Sequence, residues 1–250
     1  MKQFQTLLFI ILLTLSSLCS IAQSWNQIGQ DMDGEAAGDY FGRLFLSQDG
    51  NTLAVGAIHN DGNGTAAGHV RIYSWDGFNW TQLGQDLDGE AAGDESGFRM
   101  SLSADGNIVA IGAKHNNGNN GNGSGHVRVY NYDGSSWVQL GQDIDGAAHG
   151  DQSGSAVSIS SDGSILAIGA QHGANNYGQV RVYSWDGSTW NQFGQDIEGE
   201  GAGDRFGFSV SLSSAGNILA AGADRNDGNG SNSGHVRVYN WNGSTWTQLG

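Results

Sequence analysis

A unit of 53 to 57 residues recurs four times in this chain and leaves little else after the first two dozen residues. A tryptophan opens each unit and a fifth one follows the last, at Trp25, Trp80, Trp137, Trp190 and Trp246. A fixed period of this length is typical of folds in which one small structural unit is repeated and each copy packs against the next. The repeat therefore constrains the fold more strongly than composition does.

Each unit contains four short segments in which apolar and polar residues alternate. In the second unit these segments are D (Trp80–Leu87), A (Phe98–Ser103), B (Asn107–Ala113) and C (His126–Tyr132). Alternation at period two predicts β-strands. Asp-Gly or Asn-Gly joins A to B and C to D, except for Ala215-Gly216 in the last unit. Because these dipeptides tolerate positive φ angles, both joins are predicted to be tight hairpins.

Four antiparallel strands per unit predict an all-β fold, a β-propeller of four-stranded antiparallel blades with about four blades present. A stacked β-solenoid is the alternative, although solenoid repeats are usually shorter. The D segment at Trp25–Gln30 has no A, B or C before it, and the chain stops within another D segment. Propellers close when one terminus adds a strand to the blade formed by the other. We therefore expect a propeller of about seven blades, truncated here at residue 250.

Three motifs repeat with the units: Gly-Asp-x-Phe-Gly at 38–42 and 203–207, Gly-Ala after segment B, and Val-Arg-Val-Tyr in segment C. With these motifs, residues 23–250 resemble the FG-GAP repeats of integrin α-subunit propellers, and more closely their bacterial secreted relatives. The sequence departs from that pattern because it has no proline, and because Ser96 and Ser153 replace the phenylalanine in the middle units. The first unit is also one residue shorter between Gly42 and Ser47. The resemblance implies a propeller that binds a protein or glycan, with adhesion as the most concrete role.

The first 22 residues have the features of a signal peptide. Lys2 supplies positive charge, residues 7–15 are nearly all apolar, and Ser20-Ile21-Ala22 offers small residues for cleavage. The apolar run is shorter than the ~20 residues that span a bilayer. We therefore expect a secreted or extracellular protein, attached to the cell surface if at all through a missing C-terminal region, with no membrane insertion after cleavage. The net charge of −15 also argues against nucleic acid as a partner.

The connections from D to A, including the loop before the first A segment, are acidic. In a four-stranded blade the A–B and C–D turns emerge at one face, and the B–C and D–A connections emerge at the other. Carboxylates stand at positions 1, 3, 5 and 9 of each nine-residue D–A loop, except that Ala147 takes position 5 in the third. They are Asp31, Asp33, Glu35, Asp39, Asp86, Asp88, Glu90, Asp94, Asp143, Asp145, Asp151, Asp196, Glu198, Glu200 and Asp204.

Oxygen ligands at short intervals suit calcium, so these acids form a candidate calcium site. The glycines, however, stand at positions 4 and 8, whereas the usual calcium loop has its glycine at position 6. The family's own cation loop lies between A and B, where this chain has only a tight turn. The alternative is structural: the acids cap turns and pair with the recurring Arg71, Arg128, Arg181 and Arg237.

Two other residue types recur at the same places in the units. Histidines at 59, 115 and 172 open the B–C loops, where they can bind a transition metal or serve as polar loop residues, and His69, His126 and His235 open segment C, where we expect contacts with backbone groups. The tryptophans at the start of D and the aromatic residues at the end of C either stack on sugars or pack as cross-strand pairs. Recurrence in every unit favours packing.

The sequence contains no nucleophile elbow, P-loop, dinucleotide-binding glycine pattern or HExxH motif. The interpretation is therefore a binding module that is not an enzyme, with the face of the D–A and B–C loops engaging its partner. A secreted enzyme that acts on polysaccharide is one alternative, and a cluster of His, Arg and Tyr at the central channel would support it. A structural spacer within a larger surface protein is the other.

Overall fold

The computed structural model describes residues 25–250, so the predicted signal peptide lies outside the described residues. The described chain folds into four antiparallel sheets, which we call blades I to IV. In each blade, strands A, B, C and D are neighbours in that order, as the sequence predicted. The B–C loop of blade III makes a tight turn at Gly173–Asn176, in which Ala174 and Asn175 have left-handed backbone angles.

Strand bounds agree with the predicted segments. Blade I comprises β1 (Phe41–Leu46), β2 (Thr52–Ala57), β3 (His69–Trp75) and β4 (Trp80–Gln82). Blade II comprises β6 (Arg99–Leu102), β7 (Ile108–Ala113), β8 (His126–Tyr132) and β9 (Trp137–Gln139). Blade III comprises β11 (Ser153–Ile159), β12 (Ile165–Ala170), β13 (Gln179–Trp185) and β14 (Trp190–Gln192). Blade IV comprises β16 (Phe206–Leu212), β17 (Ile218–Ala223), β18 (His235–Trp241) and β19 (Trp246–Gln248).

The chain that leaves each of the first three blades adds a two-residue strand to strand C of that blade. These additions are β5 (Leu87–Asp88), β10 (Ile144–Asp145) and β15 (Ile197–Glu198). They split the predicted D segment into two short strands and place the start of each D–A loop beside the first residues of strand C. The D–A loop that follows a blade is thereby placed next to the first residue of strand C, which is His69 in blade I and His126 in blade II.

The predicted hairpin turns are confirmed. In the A–B turn of blade II, Gly106 has a φ of 72°, and Asp105 accepts hydrogen bonds from the Ser103 hydroxyl and the Asn107 N–H. In the C–D turn, Asp133 accepts bonds from the N–H groups of Ser135 and Ser136. The turns occupy one face of the molecule, and the B–C and D–A loops together form the other, which we call the loop face.

The core lies between blades. One cluster joins Val70 of blade I to Met100 and Trp137 of blade II, and equivalent clusters join II to III and III to IV. Aromatic residues at the C–D hairpins pair across strands, with ring centroids 5.3 Å apart for Trp75 and Trp80. The indole N–H of Trp137 donates to the Leu83 carbonyl of the preceding blade at 2.9 Å. Trp75, Trp80 and Trp137 are therefore packing residues, as their recurrence suggested, whereas Trp25 is 95% exposed.

Strands A are the inner strands of the four blades. Their ends line one shared cavity of about 200 Å³, to which Phe45, Leu102, Ile159 and Leu212 each contribute from a different blade. The outer flanks of blades I and IV are uncovered: Leu44 is 66% exposed, whereas Met100 at the same position of blade II is 6% exposed. Residues 25–30 form no strand, but Gln30 bonds to Trp80 as Gln85 does to Trp137. The total blade number stays a prediction.

Candidate functional site

The last aspartate of each D–A loop has a structural role. Asp94 is buried, and its carboxylate accepts a 2.9 Å bond from the Ala91 N–H and another 2.9 Å bond from the Asn116 side chain. Every D–A loop repeats the first of these bonds, through Asp39, Asp94, Asp151 and Asp204. Position 9 therefore closes the loop on itself and ties it to the next B–C loop.

The structure does not gather the acids of any one loop into a site. Among residues 25–250, the two groups that converge closely enough to hold a metal are Glu35–His69–Asp86 and Glu90–His126–Asp143. Each combines position 5 of one loop, the histidine that opens strand C, and position 1 of the next loop. Glu90 and Asp86 belong to the same loop but lie in different groups, because the loop crosses from one blade to the next. The structure thus brings together residues from two consecutive D–A loops and from strand C, and not the acids of a single loop. We call these two groups the composite groups.

The remaining predicted acids lie around these groups. The first aspartate of each loop accepts a bond from a glutamine four residues earlier, as Asp31 does from Gln27. Position 3 lies on the two-residue strands, where Asp88 and Asp145 face histidines and Glu198 faces Gln179. In blade I, Asp33 is exposed. In the third loop, Asp151 has no acid at position 5 beside it, and Asp196 accepts a bond from Gln179 instead.

The arginines of strand C pair with the acids in three of the four blades. Arg71 contacts Glu35 and lies 3.3 Å from Asp86. Arg128 lies 3.7 Å from Glu90, and Arg237 lies 3.7 Å from Glu200. In blade III, where Ala147 removes the acid, Arg181 instead donates to the Tyr183 hydroxyl at 3.2 Å. The predicted pairing of these acids with the strand C arginines therefore accounts for part of their contacts.

The histidines of strand C contact carboxylates, and the expectation that they meet only backbone groups is wrong. His69 Nδ1 lies 3.9 Å from Glu35 Oε2 and 3.8 Å from Asp86 Oδ2. Burial lowers the pKa of His69 and the nearby Arg71 lowers it further, while Asp86 and Glu35 oppose the shift. Burial likewise lowers the pKa of His126. Burial thus favours the neutral imidazole, in which one ring nitrogen has a free lone pair.

A second cluster lies at the inner rim of the loop face, between blades I and II. Three cations surround the Phe98 ring: the guanidinium carbons of Arg43 and Arg99 lie 4.4 and 4.8 Å from its centroid, and Lys114 Nζ lies 3.5 Å from it. Both arginines donate to the Phe98 carbonyl. Burial lowers the pKa of Arg99, and the charge of Arg43 lowers it further. We call Arg43, Arg99 and Lys114 the basic centre.

The basic centre is unusual for a chain of this composition. The sequence has ten lysines and arginines, of which Lys2 lies outside the described residues. Four others are the strand C arginines, and Arg205 pairs with Asp224. Three of the remaining four cations thus meet at one aromatic ring, and Glu95 is the carboxylate that lies near them, 3.3 Å from Lys114. Beside Arg43, a cavity of about 520 Å³ is lined by Tyr40, Ile58 and His59.

Sequence reasoning missed this cluster because its residues come from three strands of two units. The detectable signal was a departure from the repeat. Arg43 lies in the shortened first strand A, and Lys114 follows the Gly-Ala motif where the other units have Ile58, Gln171 or Asp224.

Comparison with known protein families agrees with the repeated four-stranded blades. The FG-GAP repeat family matches residues 32–73 and 198–239, which include strands A and B and most of strand C of blades I and IV. The chain carries FG-GAP repeats. The intervening blades have the same strand order and the same turn chemistry. No curated protein matches the sequence.

Solved structures similar to this chain show the same fold at low sequence identity. Two proteins provisionally named 6-phosphogluconolactonase are among them. The one from Bacteroides fragilis has a TM-score of 0.57 at 13% identity, covering 90% of this chain and 58% of its own. The one from Bacteroides uniformis has a TM-score of 0.56 at 16% identity, covering 82% and 52%. A protein provisionally named TolB from Agrobacterium tumefaciens has a TM-score of 0.50 at 14% identity, covering 85% and 62%.

The chain thus spans about half of the length of the Bacteroides uniformis structure. Likeness at this level of identity shows the fold alone. Residues 25–250 include no helix of the length and apolar character required to cross a bilayer.

Proposed function

We propose that this chain is an extracellular binding module whose loop face recognises an acidic group on a protein or glycan partner, in the setting of adhesion. The basic centre carries the proposal. Three cations held around one ring repel each other, and burial adds to the cost of charging Lys114. An anionic ligand that binds beside the three cations offsets this unfavourable energy, and the energy that it offsets contributes to the affinity.

The surrounding charge restricts the partner. With a net charge of −15, the protein repels extended polyanions at long range, which disfavours nucleic acid. A compact carboxylate or sulfate that reaches the rim experiences mainly the three nearby cations, because charges farther than about 8–10 Å are screened at physiological salt. Phe98 and Tyr40 add aromatic surface beside the cations. Acidic sugars and acidic peptide side chains both have this combination of charge and apolar surface.

Binding of matched charged and neutral probes tests the proposal. Oligogalacturonate and its methyl ester differ in charge but share a backbone, and a glutamate-rich peptide and its glutamine counterpart form the parallel pair. We expect the chain to bind at least one acidic probe and to reject the neutral counterpart. The R43Q/R99Q variant should lose at least tenfold in affinity, whereas R225Q, which removes an exposed arginine of the loop face, should not. Equal binding of charged and neutral probes, or no binding of either, would refute the proposal.

One observation favours an enzyme as the second candidate. Tyr40 and His59 stack edge to face at 4.7 Å and line the cavity beside Arg43. Tyrosine and histidine can exchange protons with a substrate, and an arginine can neutralise its acidic group. The names of the similar structures add no support, because identities of 13–16% show the fold alone. Release of new chain ends from acidic polysaccharide, abolished by Y40F and H59Q, would establish the enzyme; binding without turnover would establish the module.

A further inference from the structure

We infer that blades I and II each hold a divalent transition-metal ion, the first at Glu35, His69 and Asp86 and the second at Glu90, His126 and Asp143. These sites lie at the outer part of the loop face, away from the basic centre, and are independent of the proposed function. Each takes one imidazole nitrogen and two carboxylate oxygens from three different parts of the repeat.

The spacing of the ligand atoms fits a small cation. In each group the three atoms lie within 4.8 Å of one another, so some point lies within about 2.8 Å of all three. Zinc bonds to nitrogen and oxygen are about 2.0–2.2 Å long, so closure requires movements of less than about 1 Å. The glutamate side chains are about half exposed and free to make that movement, whereas the histidines are fixed in the sheet.

The buried histidines supply the second observation. His69 and His126 are each 1% exposed. His126 Nδ1 has no hydrogen-bond partner and lies 3.8 Å from Glu90 Oε2, too far for a hydrogen bond. In blade I, His69 Nδ1 lies 3.8 to 3.9 Å from both carboxylates, whereas the buried nitrogen of His69 that has no hydrogen-bond partner is Nε2. His126 Nδ1 is therefore a buried nitrogen without a hydrogen bond, and a cation between it and the two carboxylates would satisfy it.

The neighbouring residues orient these ligands. In blades I, II and IV the glutamate directs Oε1 towards the strand C arginine and Oε2 towards the histidine. Asn60 and Asn116 also donate to the Oε2 atoms of Glu35 and Glu90, at 3.1 and 3.3 Å. Partners that hydrogen-bond to a ligating carboxylate are typical of metal sites, because they fix the ligand before the ion binds. The arginine thus has a supporting role and leaves one oxygen of the glutamate facing the histidine.

Blade III shows that these residues form one unit. There the glutamate, the asparagine and the histidine are all replaced, by Ala147, Gly173 and Gln179. The Gln179 amide fills the gap by donating to Asp196. Blade IV retains Glu200, Asn226 and His235. Positions 147, 173 and 179 are separated by 26 and 6 residues in the chain. Their joint change, within repeats otherwise so alike, indicates a shared ligand rather than three separate structural roles.

The ligand set selects the class of metal. Imidazole with two carboxylates suits zinc, cobalt or manganese, whereas calcium requires six to eight oxygen ligands and does not favour nitrogen. The composite sites therefore differ in chemistry, as well as in location, from the calcium loop that the acid spacing predicted.

Metal stoichiometry tests the inference. The purified chain, freed of metal, is titrated with Co²⁺, whose visible absorption reports its ligand geometry, and then with Zn²⁺ in competition. We expect two Co²⁺ ions per chain, one in H69Q and one in H126Q, and none in H69Q/H126Q. Glutamine occupies this position naturally in blade III, so these variants should fold, and circular dichroism checks that they do. H172Q, which removes a histidine outside both groups, is the matched control and should bind two.

Three results would overturn the inference. The first is the absence of Co²⁺ and Zn²⁺ binding to the folded chain at micromolar concentrations. The second is unchanged stoichiometry in H69Q/H126Q, which would place the ions elsewhere. The third is displacement of Co²⁺ by equimolar Ca²⁺, which would show that the sites are oxygen sites for a hard cation.

Discussion

Glu95 and Lys114 form a 3.3 Å ion pair in blade II at the same two positions where Arg205 and Asp224 form a pair of reversed charge in blade IV. In blade III the positions hold Gln152 and Gln171, which bond to each other at 2.6 Å. The first residue of each pair has a φ of 53 to 58°. The backbone at the inner rim is therefore the same in these blades. The two side chains differ from blade to blade, but in each blade they bond to each other, as expected of a surface that changes its side chains without loss of stability.

Exchange of the charges of Glu95 and Lys114 tests whether the two side chains stabilise each other. E95R should destabilise the chain by about 1 kcal/mol or more, because it removes an ion pair and adds a fourth cation near the basic centre. E95R/K114D recreates the arrangement of blade IV and should recover most of that loss. Urea unfolding measures both. The matching would be refuted if the double variant were no more stable than E95R.

Removal of charge from the basic centre should stabilise the fold. The pKa of Arg99 is lowered, first by burial and then by Arg43, so the folded state disfavours its charged form. At neutral pH the arginine is charged and carries that cost. R99Q should therefore raise the thermal midpoint or leave it unchanged while it weakens binding of the acidic probe. A loss of both stability and binding would indicate a structural role instead.

The exposed flank of blade I gives a matched comparison of burial. Leu44 and Met100 occupy equivalent positions of strand A, but Met100 packs against blade I and Leu44 is mostly exposed. M100S should cost about 2–4 kcal/mol of unfolding free energy, and L44S less than about 0.5 kcal/mol. Chemical denaturation of the two variants measures the difference. Equal losses would mean that the flank of blade I is covered in solution.

The C–D turns predict a specific acid sensitivity. Hydrogen bonds from the Ser136 and Ser135 N–H groups and the Ser135 hydroxyl lower the pKa of Asp133 to about 2. A depressed carboxyl pKa contributes stability above the unfolded value of about 3.9, and the contribution is lost as the pH falls towards 2. D133N keeps an acceptor, as Asn242 does in blade IV, and should reduce the pH dependence of the thermal midpoint between pH 4 and 2. D133A should lower the midpoint at pH 7, and an unchanged midpoint in D133A would contradict this role.

The sequence predicted the blades well because their determinants are local. Strand alternation and the Asp-Gly or Asn-Gly turns are short-range signals, and the tryptophan spacing marks the repeat that contains them. The composite groups escaped prediction because Glu90, His126 and Asp143 belong to three different segments, and alignment of the repeats places them in separate columns. Only the added strand β10 brings Asp143 beside His126. Joint replacement at Ala147, Gly173 and Gln179 was the available signal.

The most direct measurement is construction of a third metal site in blade III. Asp196 is already present there, so A147E/Q179H restores the complete ligand set of blades I and II. Equilibrium dialysis against Zn²⁺ followed by metal analysis counts the ions bound per chain. We predict two ions in the native chain and three in A147E/Q179H. A count that stays the same in the variant, with the fold intact, would contradict the assignment of glutamate, histidine and aspartate as the ligands.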